Sequence, residues 1–239
     1  EALQRHAAGS KAVEFWGTNF YQQTAEARRE KMFRPRAALV ESLVESGTIG
    51  GTKTIVDIGA GYGMFLQEIA ALGRFDSVIG VEPDERLGGI CRDQGFEVVP
   101  EWAEELRAGD LDADCAAAFE VIEHVFEPLA FLRGCAGALR PGGTLLFTTL
   151  TVSGFDLQTL WSESRSISPP EHINLPSVAG ASALIGRAGL EEVEVSTPGE
   201  LDVDIVRNVL TADPHRDVPR FARTVAMADD ETRADFQHF

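Results

Sequence analysis

The feature that most constrains this chain is a five-residue run, Thr54-Ile55-Val56-Asp57-Ile58, ending in Gly59-Ala60-Gly61-Tyr62-Gly63. Three β-branched residues in a row suit a buried strand. Glycines at every second position permit positive φ and let a ligand approach the backbone closely. Met64, Phe65, Ile69, Ala70 and Leu72 then repeat at helical spacing up to Gly73,. A strand, a glycine loop and a helix in that order form half of a parallel βαβ unit, with the helix N-terminus open to an anion.

The pattern recurs downstream. Ser77–Glu82, Phe96–Val99, Asp114–Phe119 and Thr144–Leu150 read as strands, and Leu190–Ser196 as a sixth. Residues 83–92, 129–139 and 177–188 read as helices, stopped by Gly95, Pro141-Gly142-Gly143 and Gly189,. Upstream, residues 11–50 read as helical, with Thr24 as a cap and Pro35 as an interruption. The expected fold class is α/β, a doubly wound, mostly parallel Rossmann-like sheet with helices on both faces. No repeat or linker divides the 239 residues. We expect one domain: an N-terminal helical cap (1–50), a ligand-binding core (51–197) and a substrate-side extension (198–239). Leu201–Leu210 fits strand or helix, and Asp229–Phe236 reads as helix.

Charge narrows the partners. The net charge is −17, and residues 97–123 hold nine acids against one Arg, beside the expected mouth. Nucleic acid and anionic membranes are disfavoured. The counter-evidence is residues 28–36, with five cations in nine residues; a solvated face is the simpler reading. Cys91, Cys115 and Cys135 are odd in number and lack a C-x-x-C, which points to reduced thiols and a cytoplasmic setting,. No run is long enough to span a membrane. No signal peptide is apparent, although the chain starts at Glu1 rather than Met.

In a sheet of this kind the ligand lies beyond the carboxyl ends of the strands, and an acid ending the second strand, here Glu82, can accept both ribose hydroxyls. The G-x-G-x-G spacing lacks the Lys-Ser/Thr of a triphosphate loop. Residues 56–63 resemble the first motif of class I S-adenosylmethionine-dependent methyltransferases. Val81-Glu82-Pro83 resembles the second, Phe119–Val125 the fourth, and Leu139–Gly143 the stretch before strand five. The resemblance implies that Asp57, Gly59, Ala60, Gly61, Gly63, Glu82, Pro83 and Phe119 surround S-adenosylmethionine. It would put an Asp-Ala pair after strand three. Trp102-Ala103 stands there instead, so Trp102 or the preceding Glu101 is expected against the adenine. Relatives of this kind also have a seventh strand beside the fifth; no run after Leu210 suits it, so this chain is expected to stop short of it.

Glu120, Glu123 and His124 close the fourth strand, and His172 follows the fifth. The Glu-Val-x-Glu-His pattern resembles ubiquinone-pathway O-methyltransferases and Hen-type small-RNA 2′-O-methyltransferases, and implies Glu120, Glu123, His124 and His172 as ligands of Mg²⁺ or a similar divalent ion. The alternatives are a metal-free base, His124 or His172 with Glu120, or a structural cluster. The expected function is methyl transfer to a small molecule, at a hydroxyl oxygen. A binding module without turnover and an RNA 2′-O-methyltransferase are the competing readings; oligomeric state is not legible.

Overall fold

The computed structural model describes residues 25–164, 166–191, 194–196 and 203–237, with side chains to Arg233. Thr24, and with it the first half of the expected helical cap, lies outside them. The described chain begins in a helix that widens to a π-turn over Arg29–Phe33 and continues as α1 (Arg34–Glu45). Pro35 does not interrupt it. It sits in the first turn of α1, where a missing N–H costs least,, and the Arg34 N–H reaches back five residues to the Arg29 carbonyl.

Five parallel strands follow: β1 (Thr54–Ile58), β2 (Ser77–Val81), β3 (Glu97–Val99), β4 (Ala113–Phe119) and β5 (Leu139–Thr148). Their order is β3-β2-β1-β4-β5. It reverses between β1 and β4, so the crevice for a ligand opens there. Helices α2 (Met64–Leu72), α3 (Glu85–Asp93) and α4 (Pro128–Ala138) make the crossovers.

Adjacent residues of one strand feed opposite cores, as a period of two demands. Ile55, Cys115 and Ala117 pack with Ala37 and Val40 of α1 and Phe65 and Ile69 of α2. Val56, Ala116 and Ala118 pack with Phe131, Leu132 and Cys135 of α4 on the other face. Short helices α5 (Phe155–Leu160), α7 (Val203–Ala212), α8 (Arg220–Ala226) and α9 (Asp230–Gln237) follow the sheet, with α6 (Val178–Ala188) between α5 and α7. Leu160, Val203, Val206, Leu210 and Val225 form a separate cluster. The ambiguous segment at 201–210 is thus a helix where it is described.

Two strand readings need correction. β5 starts at Leu139, because Pro141-Gly142-Gly143 is a bulged entrance rather than a break: Leu139 pairs with Ala113, and the register shifts before Cys115 pairs with Thr144. Residues 190, 191 and 194–196 form no strand. A sixth strand needs a ladder partner, and among the described residues no strand lies beyond β5 to give one.

Candidate active site

Strand β1 ends at the crevice in the glycine loop. The Gly59 and Ala60 N–H groups donate to the Val81 carbonyl, at 2.9 and 3.2 Å, which ties the loop to β2. Gly59 has φ +78°, and a Cβ there would lie 2.8 Å from Val121 Cγ2. Gly61 has φ +55°, and a Cβ there would meet nothing nearer than the Gly59 carbonyl oxygen at 3.9 Å. Crowding requires the first glycine, and backbone conformation alone the second.

Glu82 directly follows β2 and is 7% exposed. Its Oε2 accepts the Gly61 N–H (2.8 Å) and its Oε1 the Asp84 N–H (2.9 Å). A carboxylate has about four acceptor positions, so both oxygens keep capacity for another donor. Pro83 follows on the half-buried rim. Burial raises the Glu82 pKa, against the two N–H bonds. Asp57 is 5% exposed. Burial, then the charge of Glu82, pushes it up to about 7, while Arg36 pulls the other way.

Arg36 escaped the sequence reading, which took residues 28–36 as a solvated face. Helix α1 carries it into the crevice. Its guanidinium donates to Glu120 Oε1 at 2.8 Å and lies 4.8 Å from the centre of the Phe119 ring. Burial pulls its pKa down, and the charges of Glu120, Asp57 and Glu123 resist. Two other arginines of the run pair with acids as well: Arg29 with Glu68, and Arg34 with Glu26, Glu30 and Glu68. The available signal was that Arg36 falls a helical turn from Val40, a residue on the buried face of α1.

Glu120 has φ +56°, rare for a residue with a side chain,. The turn sends its carboxylate back over the strand ends, where the Thr148 hydroxyl donates to it at 2.6 Å. Glu123 is 1% exposed and accepts the Thr149 hydroxyl at 3.2 Å. Burial, and then Glu120, hold its pKa well above the ordinary carboxylate range. Asn174 closes the turn with amide donations to the Ile122 and Val125 carbonyls.

The two histidines meet across loops. Their ring centroids are 4.9 Å apart. His124 Nδ1 lies 2.8 Å from the Glu171 carbonyl and His172 Nδ1 lies 2.9 Å from the Ser166 carbonyl. A carbonyl only accepts, so each Nδ1 is the protonated nitrogen and each neutral ring keeps its lone pair on Nε2. Desolvation, and next the nearby His172, lower the His124 pKa against its bond to Glu171.

The expected metal set does not assemble. Among the described residues no three His, Cys, Asp or Glu side chains form a group that could hold a metal ion. The reason is visible at Glu120: the guanidinium of Arg36 already supplies its positive partner. The three residues expected on the adenine side differ in burial. Ala103 is buried against α4, where a Cβ on Gly134 would lie 1.7 Å from its carbonyl oxygen. Trp102 is half-buried and Glu101 is exposed.

The model of the methyltransferase domain family matches residues 24–195. The chain belongs to that family. Its members use S-adenosylmethionine. The ubiquinone biosynthesis O-methyltransferase of Xanthomonas campestris is 33% identical over 118 residues, 46% of this chain and 48% of that protein. The mitochondrial enzyme of the same name from Homo sapiens is 34% identical over 128 residues, 48% of this chain and 34% of that one. The chain thus spans about half the length, or less, of these curated relatives. Among solved structures, an S-adenosylmethionine-dependent methyltransferase of Leishmania major superposes with a TM-score of 0.59 at 15% identity, covering 80% of this chain and 76% of that one. One from Thermotoga maritima, described as a possible histamine N-methyltransferase, gives 0.51 at 24% identity, covering 74% and 82%. These likenesses concern the fold. No described helix is long and apolar enough to cross a membrane.

Proposed function

We propose that this methyltransferase moves the methyl group of S-adenosylmethionine to a hydroxyl oxygen of a small molecule, without a divalent ion. The observation that carries the reading is the His124–His172 pair, two imidazoles whose Nδ1–H groups are fixed by backbone carbonyls so that both Nε2 atoms are free to take a proton. Burial and the neighbouring His172 lower the His124 pKa, which favours the neutral, basic form of that imidazole,.

In this reading the glycine loop, Asp57 and Pro83 hold the cofactor, and Glu82 uses its remaining acceptor positions for the ribose hydroxyls. Arg36 offers its free N–H groups to the cofactor carboxylate, and Asp57 faces the cofactor ammonium. The acceptor oxygen attacks the methyl carbon in line. The new O–C bond forms as the C–S bond breaks, its electron pair stays on sulfur, and the hydroxyl proton passes to an imidazole Nε2. The protein supplies alignment and a base. The names of the curated relatives support oxygen as the acceptor atom. The pairing of Arg29 and Arg34 with acidic residues of the chain supports a small molecule over RNA.

The test is calorimetric titration with S-adenosylmethionine, followed by an acceptor library in EDTA. Products are read by mass spectrometry for the gain of one methyl group and for S-adenosylhomocysteine. Binding with turnover of hydroxyl acceptors in EDTA is expected. Binding without turnover of any acceptor would favour a module that only holds the cofactor, and activity only after adding Mg²⁺ or Mn²⁺ would overturn the metal-free reading.

A further inference from the structure

The segment after β5 carries a buried carboxyl group that no step above uses. Asp156, on α5, is 1% exposed. Its Oδ2 accepts the hydroxyl of Ser164 and that of Ser166, the latter at 2.9 Å. The Ser164 oxygen in turn accepts the Ser166 N–H at 3.0 Å. Ser166 is therefore gripped at its side chain and its backbone nitrogen, and its carbonyl is the group that fixes His172 Nδ1. Farther on, the Ile173 and Asn174 N–H groups donate to the Glu123 carbonyl at 2.9 and 3.1 Å. The loop that presents His172 is thus pinned at both ends.

A carboxyl group buried to this degree is costly unless its hydrogen bonds are made. A loop that needed only packing could hold an apolar side chain at position 156. Asp156 instead gives its bonds to the two serines that place one carbonyl under one imidazole. Orienting a histidine through the partner of its Nδ1–H selects the tautomer and aims the basic nitrogen.

We infer that Asp156 is a positioning residue for His172. Through Ser164 and Ser166 it holds the Ser166 carbonyl where it enforces the Nδ1–H tautomer and directs Nε2 toward the cleft. The catalytic consequence rests on the methyl-transfer reading; the tautomer does not.

The test is nitrogen-15 NMR of the imidazoles in the wild-type protein and in Asp156→Ala, with S-adenosylmethionine titrated into both. In the wild type His172 is expected as the single Nδ1–H form. In Asp156→Ala it becomes a mixture with the Nε2–H form, while His215 is unmoved and cofactor affinity is retained. With an acceptor in hand, kcat is expected to fall roughly tenfold at unchanged cofactor KM, short of the ~10²–10⁴ lost with a general base. His172 remaining wholly Nδ1–H in folded Asp156→Ala overturns the inference. Should that variant not fold, Ser166→Ala gives the same reading with a smaller shift toward the Nε2–H form: it keeps the Asp156–Ser164 bond and the Ser166 N–H bond to Ser164, and removes only the hydroxyl by which Asp156 holds the residue whose carbonyl meets His172. A wild-type protein that fails to bind S-adenosylmethionine would remove the methyl-transfer reading and leave the tautomer result standing.

Discussion

Asp114 and Asp57 sit on neighbouring strands of one sheet, 4% and 5% exposed, yet their environments push them in opposite directions. Asp114 stands at the amino end of β4. Burial raises its pKa, but the bond from Arg140 and those from the Thr54 and Lys53 N–H groups outweigh burial and bring it below the usual range. Those bonds measure 2.5, 3.0 and 2.7 Å. Asp57 stands at the carboxyl end of β1 and is left with burial, a like charge at Glu82 and partial relief from Arg36. The difference separates two uses of a buried acid. Asp114 is satisfied by the fold and ties β4 to β1 and β5. Asp57 keeps a raised pKa, and in the proposed reading it faces the cationic end of the ligand. Strongly raised acids gathered in one crevice are the mark of a site rather than of a clamp.

The comparison predicts that the two ends fail differently. Asp114→Ala strands the Arg140 guanidinium and two backbone donors, one of them buried. Urea denaturation should show a loss of about 4 kcal/mol, the scale for breaking a buried pair from one side, with cofactor affinity of the folded fraction unchanged. Glu82→Ala, at the other end, also frees two backbone donors, but it breaks no ion pair and removes an acid whose burial raises its pKa, so the denaturation midpoint should move much less. It should weaken S-adenosylmethionine binding by about 3 kcal/mol, for two charge-assisted bonds partly replaced by water. Unaltered affinity in the titration would remove Glu82 from the ribose. Loss of stability on that scale in Glu82→Ala would erase the contrast between the two ends.

Asp57→Asn sharpens the contrast because it should stabilise. The folded pKa of Asp57 is raised, to about 7, so the folded state binds the proton more tightly than the unfolded chain does. Stability then falls as pH rises from the unfolded pKa through the folded one. The penalty is complete above pH 7 and absent below about pH 4. Replacing the acid by its neutral isostere should therefore add about 2 kcal/mol at pH 8, after allowance for relaxation around the charge, and the gain should shrink as the pH falls. A variant less stable than the wild type at pH 8 would show that Asp57, like Asp114, is held by the fold.

What the sequence made legible follows the same division. The β-branched run at 54–58 and its glycines fixed the strand, the loop and the switch point, because those signals are local. The place of Glu82 just past β2 could be read for the same reason: a strand end is visible in one dimension. Arg36 could not, since its role depends on α1 folding across β1 and β4 to meet Glu120, 84 positions away. The metal expectation failed with it, as residue types alone cannot show that a guanidinium has taken the place beside the carboxylate. His124 and His172 were named as a pair of candidates, but their shared tautomer depends on carbonyls that carry no sequence signal. The sixth strand erred in the opposite way: Leu190–Ser196 has a plausible local pattern, and a strand needs a neighbour.

The smallest expected effect tests the comparison most directly. Near pH 7 Asp57 is about half protonated, so any charge placed beside it must shift that proton. S-adenosylmethionine carries a sulfonium and an ammonium against one carboxylate. If its ammonium faces Asp57, the acid's pKa falls and up to about half a proton is released on binding, following the linkage between charge and protonation. Calorimetric titration at pH 7 in buffers of different ionisation enthalpy would read the release as a dependence of the apparent heat on the buffer. The dependence should fade by pH 9, where Asp57 is already ionised, and vanish in Asp57→Asn. Proton uptake would carry a different meaning. It would arise if the cofactor carboxylate drew Arg36 away and left Asp57 without its one opposing charge. Heats that do not depend on the buffer would show that neither end of the methionine moiety reaches Asp57, and that the raised acid at the end of β1 is strain borne by the fold rather than a place kept for the ligand.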